Sequence, residues 1–268
     1  MPGIEARFRE LSHGLDDSID SVALTDTVCG ALCDGASEED VDNLMAETAA
    51  YHASMHPDFA KLAARVAVAR LHRKTEPSLL RTLHAMCDHA IDGVAAPLVT
   101  AELVETAERM APALEAAIRH ERDYEYDYFG LRTLQRSYLR TAADGASVER
   151  PQHMLMRVAL AVHGTDEPAV LQAYDMMSRG LFTHATPTLF NAGTARQQLC
   201  SCFLLAPQED SVAGIFESLR QCALISRDAG GIGLAVSNIR ASQSCASRSR
   251  ATYSTSARFT YDGGHFSS

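Results

Sequence analysis

Apolar residues along the first 180 positions recur at the three-and-four spacing of amphipathic helices, and only beyond Leu199 does the pattern change to short continuous apolar runs. Ile4, Phe8, Leu11 and Leu15 share one helical face, and Asp34-Gly35 reads as the close of a second helix. Ser37-Glu38-Glu39-Asp40 has the form of a capping box that opens a third helix, turning Val41, Leu44, Met45 and Thr48 inward. His56-Pro57-Asp58 opens a fourth, with Phe59, Leu62, Ala63 and Val66 on its inner face. Residues 1–75 are therefore predicted to form a small helical bundle.

Residues 76–198 continue in the same manner. Pro77-Ser78 precedes a helix over Leu79–Ala90, Asp92-Gly93 breaks the chain, and two helices flank Pro112. The run Asp123-Tyr124-Glu125-Tyr126-Asp127-Tyr128-Phe129-Gly130 is acidic and aromatic, so its charge has the wrong sign for stacking nucleic-acid bases; it reads as a turn anchored in the core. Asp144-Gly145 forms a turn, Pro151 opens a helix carrying Met154, Leu155 and Val158, and Gly180 stands where a C′ glycine ends the next.

The pattern changes between Phe182 and Arg240. Leu199–Leu205 and Ile232–Val236 are too short for helices and apolar enough for buried strands. Between them Ser211–Ser226 places Val212, Ile215, Phe216, Leu219 and Ala223 on one helical face. Strand, helix, strand is the parallel βαβ unit with which an α/β sheet or barrel begins. From residue 241 to 268 the chain is rich in serine, poor in large aliphatic residues and aperiodic, and is expected to be a disordered, aberrant tail.

Composition narrows the function classes. A formal net charge of -10 excludes generic nucleic-acid binding, which needs a basic face. No apolar run reaches the roughly 18 residues of a membrane span, and no secretory leader pattern opens the chain. Seven cysteines without paired spacing suit reduced thiols in a soluble cytoplasmic protein. No zinc spacing is present, Met154, Met156, Met176 and Met177 read as core fillers, and no metal site is expected.

Several residues could carry chemistry. Cys202 sits within the first predicted strand, and spacing alone leaves it between an inert buried thiol and a redox thiol. Thr186 is open between turn chemistry before Pro187 and a ligand-facing hydroxyl. Asp210 is the better local N-cap for the helix that follows. Ala229-Gly230-Gly231-Ile232-Gly233 has the glycines of a phosphate loop in the wrong order, after a helix and before a strand, so these glycines serve close packing. His184 has no visible partner and reads as structural.

The runs ERPQHMLMRVALAVHG, THATPTLFNAGT, QLCSCFLL, DSVAGIFESLRQCALIS and AGGIGLAVSNIRA resemble the large, catalytic subunit of class I ribonucleotide reductase in its eukaryote-like form. The resemblance covers roughly Ile4 to Ala241. It implies a mainly α N-terminal region leading into the first βαβ unit of a truncated ten-stranded α/β barrel. The implied divisions are a partial ATP-cone over 1–75, a helical connector and helical domain over 76–198, the start of the barrel over 199–240, and the tail. VDNLMAETAA and HPDFAKLAARVAVARLHRKT resemble the second half of the cone, with Asp42 and Arg73 on nucleotide-contact positions, Arg73 standing where the family usually has Lys. The cone's basic phosphate-gripping strand is missing from the match, so this module is not expected to bind ATP or dATP.

The resemblance also assigns roles. Cys202 matches a redox cysteine that pairs with a second, later cysteine to reduce the ribose 2′ position, ending as a disulfide; its neighbour Cys200 is incidental. Thr186 and Ser201 match positions that contact the substrate nucleotide. Asp210, Ser211 and Val212, with Arg227 and Arg240, match contacts to the deoxynucleotide that sets specificity, a site completed in relatives across a dimer interface. The parent reaction makes deoxyribonucleotides for DNA synthesis by thiyl-radical chemistry. It relies on a radical from a metal-containing small subunit, a thioredoxin- or glutaredoxin-type reductant, and ATP or dNTP effectors. Partners implied are a ribonucleoside diphosphate, those effectors, the small subunit and a second copy, with no nucleic acid and no membrane. The radical cysteine and second redox cysteine lie in family regions beyond the match, so the chain alone is expected to be inactive. The competing readings are a non-catalytic regulatory or binding module and a gene-model fragment.

Overall fold

Ser37 and Asp40 form the predicted capping box, each side chain accepting from the other's backbone N–H, so the third helix begins where the sequence places it. The computed structural model describes residues 3–240. It divides into two compact units, meeting in sequence between Ser201 and Cys202.

In the first unit, helices α1 (Ile4–Leu11), α2 (Ser21–Ala31), α3 (Glu38–Tyr51) and α4 (Asp58–Lys74) enclose a core of Phe8, Leu24, Val28, Met45, Phe59, Leu62, Ala63 and Val66. Phe8, Met45 and Leu62 are fully buried; each such side chain contributes about 1.5–3 kcal/mol by leaving water. α2 stops at Ala31, ahead of Asp34-Gly35, because Leu32 already adopts extended backbone; the Asp-Gly pair shapes the following turn, with Gly35 at φ +85°.

Helix α5 (Leu79–Cys87), capped by Ser78, is shorter than the predicted Leu79–Ala90. The remainder turns into a hairpin of β1 (Ala90–Ile91) and β2 (Val94–Ala95), because Asp92 and Gly93 both take the left-handed conformation that a tight two-residue hairpin requires. α6 (Ala101–Arg109) and α7 (Ala111–Ala117) meet at Met110, so Pro112 lies inside the first turn of α7 and does not separate two helices. A 3₁₀ turn, His120–Glu125, leads to α8 (Tyr128–Ser137). The acidic aromatic run anchors the core as predicted: Asp123 is buried, and Tyr124, Tyr126 and Tyr128 pack on Ala64, Ala67, Val68 and Leu131.

α9 (Pro151–His163) is the hub, with every residue from Pro151 to Leu160 buried. A helix buried all round must satisfy its polar residues internally. Gln152 donates to Asp123 at 3.0 Å, and Arg157 forms a bidentate pair with Glu149. α10 (Glu167–Ser178) ends in a Schellman motif at Gly180, whose N–H donates to Met177 O while that of Leu181 donates to Met176 O. Met154, Met156 and Met177 fill the core, whereas Met176 is exposed. α11 (Thr186–Asn191) closes the unit.

The second unit is a βαβ motif: β3 (Cys202–Leu205), α12 (Val212–Arg227) and β4 (Gly231–Leu234). The strands pair in parallel, Cys202 opposite Gly231 and Leu205 opposite Leu234. The first strand starts three residues later than predicted because Gln198 exchanges side-chain bonds with the Cys200 backbone, which turns the chain. Among the described residues this sheet is two-stranded. The predicted disordered tail, 241–268, lies outside the described residues. No described helix is long and apolar enough to cross a membrane.

Candidate functional site

Ligands of open parallel sheets gather beyond the carboxyl ends of the strands, and there the second unit brings together two of its predicted effector residues. The chain leaves β3 at Leu205 and reaches Asp210; it leaves β4 at Leu234 and reaches Arg240. The Arg240 backbone N–H donates to Asp210 Oδ2 at 3.3 Å, its guanidinium Nε stands 3.4 Å from the same oxygen, and Asn238 donates to Pro207 O at 3.3 Å. The N-cap of α12 is Ser211, not Asp210: Ser211 Oγ accepts from the Gly214 N–H at 3.0 Å. Capping by the hydroxyl leaves the Asp210 carboxylate turned to Arg240. Gly214 permits this close turn, since a Cβ there would lie 2.5 Å from Glu209 O. A carboxylate, an arginine and a helix amino terminus at one strand edge suit a ligand carrying both hydroxyls and phosphate.

Arg227 does not join them. It ends α12, roughly 24 Å along the helix from Ser211 by the rise per residue, and pairs bidentately with Asp228 at 3.0 and 3.1 Å. Val212, first residue of α12, is exposed, as are Phe216 and Leu219 on the same helix. Glu217, also on α12, is acidified to about 2 by its bonds from Arg220 and Gln221. Cys202 opens β3 at the amino edge of the sheet, and its thiol is free and exposed. The glycines after α12 serve packing, as their order predicts: a Cβ on Gly230 would meet Ile225 at 2.6 Å and Phe203 at 2.9 Å.

In the first unit Thr186 is the first residue of α11, and its Oγ1 lies 3.0 Å from the Tyr138 hydroxyl. The Tyr138 ring stacks on Phe190. Ser201 is the last residue of this unit and half-buried. Asp42, on α3, is buried, and two arginines hydrogen-bond its carboxylate: Arg73, predicted, and Arg7 of α1, which the sequence reading missed. Arg7, Arg73, His72 and Tyr124 line a cavity of about 450 Å³ beside it. Nothing in local spacing pointed to Arg7, 35 residues from Asp42. Equally hidden was the approach of His72, His120 and Asp123, whose potential ligand atoms lie within 4.8 Å of one another despite the absence of a metal-ligand spacing. His184 is less basic than usual through burial.

Comparison with known proteins adds an independent line. Residues 124–197 match the family model described as the ribonucleotide reductase all-alpha domain, and residues 200–259 match the barrel domain of the same enzyme. The second match continues past Ala241, where the sequence reading ended the resemblance. The ribonucleoside-diphosphate reductase large subunit of Arabidopsis thaliana is 49% identical over 90% of this chain and 30% of its own length. The large subunit of Caenorhabditis elegans is 44% identical over 98% of this chain and 35% of its own length. Large chain 2 of Saccharomyces cerevisiae is 44% identical over 90% of this chain and 28% of its own length. The chain thus spans about a third of the relatives it matches. With the two domain matches in the order the two units follow, and relatives agreeing along nearly all of it, the chain belongs to the family of ribonucleotide reductase large subunits.

Proposed function

We propose that this chain serves ribonucleoside-diphosphate reduction, and that its second unit is the first βαβ element of the barrel, holding a deoxynucleotide effector at Asp210, Ser211 and Arg240. The single observation that carries this reading is the meeting of Asp210 and Arg240 at the carboxyl edge of the parallel strands, beside the amino terminus of α12. An ionised Asp210 accepts from a ribose hydroxyl, Arg240 turns from it to a phosphate, and the helix terminus adds its positive field. The exposed Arg240–Asp210 pair is weak enough to open for a ligand. Arg227, at the far end of the helix, reaches such a ligand only from a second copy, and the exposed Val212, Phe216 and Leu219 supply apolar surface for that copy to cover.

In the reaction the ribonucleotide 2′-hydroxyl leaves as water, two thiols supply the two hydrogens and electrons, and the thiols end as a disulfide. Cys202 is one of those thiols in this reading, with Thr186 and Ser201 offering hydroxyls to the substrate. The radical that starts the reaction comes from the small subunit, and a thioredoxin- or glutaredoxin-type protein restores the thiols. The cytoplasm is the compartment this chemistry requires, because it keeps Cys202 reduced.

Equilibrium binding of dTTP, dGTP and dATP to the chain, with Arg240→Ala alongside, tests the effector site. Micromolar binding lost in Arg240→Ala supports it. Binding unchanged by that substitution, or no binding to a cooperatively folded chain, overturns it and favours the non-catalytic reading.

A further inference from the structure

We propose that His72, His120 and Asp123 form a binding site for one divalent transition-metal ion of the zinc type, tying the end of α4 to the His120–Glu125 turn. His120 and Asp123 share one 3₁₀ turn and His72 comes from the end of α4, and their ligand atoms all lie within 4.8 Å of one another. Two imidazoles and a carboxylate are a donor set suited to zinc and its first-row neighbours.

The surroundings are arranged as those of a metal site. Asp123 is fully buried; its Oδ2 lies 2.7 Å from His72 Nε2 and its Oδ1 accepts from Gln152 Nε2 at 3.0 Å. Gln152 is fixed in turn, its Oε1 accepting from Tyr174 and Ser178 at 2.8 and 2.6 Å. His120 Nε2 is 2.9 Å from Pro77 O. A carbonyl only accepts, so that nitrogen carries the proton and Nδ1 keeps a bare lone pair. His120 Nδ1 is buried and has no partner. A ligating histidine that donates its other N–H to a backbone carbonyl is the common outer-shell arrangement of protein metal sites. The same carbonyl lies 3.2 Å from Nε2 of the fully buried His153, whose Nδ1 is also unpartnered and whose ring centroid is 5.0 Å from that of His120. A buried acceptor without a donor is costly, and a cation at His120 Nδ1 removes that cost.

His72 also lines the cavity shared with Arg7, Arg73 and Tyr124, which gives an ion a route from solvent. Arg150, donating to His72 O at 3.0 Å and to Thr75, places a positive charge near the site. An ion here would join α4, the 3₁₀ turn and, through Gln152, α9.

Zinc content after equilibrium dialysis of the whole chain tests this, with its exposed thiols alkylated so that soft sulfur ligands do not capture metal. One zinc per chain is expected, unchanged in His13→Ala on the surface and reduced at least tenfold in His120→Phe. Urea unfolding in the presence of a chelator checks that His120→Phe is folded. X-ray absorption of the zinc-loaded parent provides a reading independent of that variant and should show two imidazoles and no sulfur. Binding that survives His120→Phe, sub-stoichiometric binding by the parent, or a spectrum without two imidazoles overturns the proposal.

Discussion

Arg157 and Glu149, both fully buried, face each other in a bidentate pair, Nε to Oε2 at 3.0 Å and the terminal nitrogen to Oε1 at 2.8 Å. The pair is also a structural junction, because Arg157 donates to Ala192 O at 2.7 Å and Glu149 accepts from the Arg140 N–H at 2.9 Å. Breaking it by Arg157→Met leaves the buried Glu149 carboxylate without its guanidinium partner and should cost about 3–5 kcal/mol. The double substitution Glu149→Gln with Arg157→Met should recover part of that loss. Urea denaturation of the parent, both single variants and the double variant measures the coupling.

Tyr126 packs on the buried Ala64, Ala67, Val68 and Leu131 cluster, and burial, helped by the negative charge of Asp123, pushes its phenol up to about 12. Its folded value lies above the unfolded one, so its contribution is complete below pH ~10 and is lost as the pH rises from there toward about 12. In that window the contribution falls by about 1.4 kcal/mol per pH unit. Tyr126→Phe should be less sensitive to alkali than the parent, as urea midpoints between neutral pH and the alkaline window will show; equal sensitivity would rule the shift out.

Ala229 occupies the C′ position of α12 at φ +65°, where the Ala229 N–H donates to Ser226 O and that of Gly230 to Ile225 O. A side chain in this conformation is strained by about 1–2 kcal/mol. Ala229→Gly should therefore stabilise the second unit by about 1 kcal/mol. Gly230→Ala should do the reverse, because its Cβ would be driven against Ile225 and Phe203. Thermal melts of the two variants should move in opposite directions.

Cys29, Cys33, Cys200 and Cys202 are exposed, whereas Cys87 and Cys222 are half-buried. Iodoacetamide should alkylate the first four well before the other two, read residue by residue in digests by mass spectrometry. Slow labelling of Cys202 would contradict its exposed position at the start of β3.

What the chain determined by itself was everything governed by near neighbours. The capping box at Ser37, the Schellman glycine at Gly180, the inward faces of α3 and α4, and the order strand, helix, strand all rest on spacings of a few residues, and all are found in the fold. Where near-neighbour reasoning failed, a local competitor had won: Ser211 took the cap from Asp210, and Gln198 turned the chain ahead of β3. Only the tertiary structure brought Arg7 onto Asp42, gathered His72 with His120 and Asp123, and set Arg240 beside Asp210. These relationships join residues tens of positions apart. Helical periodicity says which side of an element a residue occupies; which other element meets that side is decided by how the cores pack.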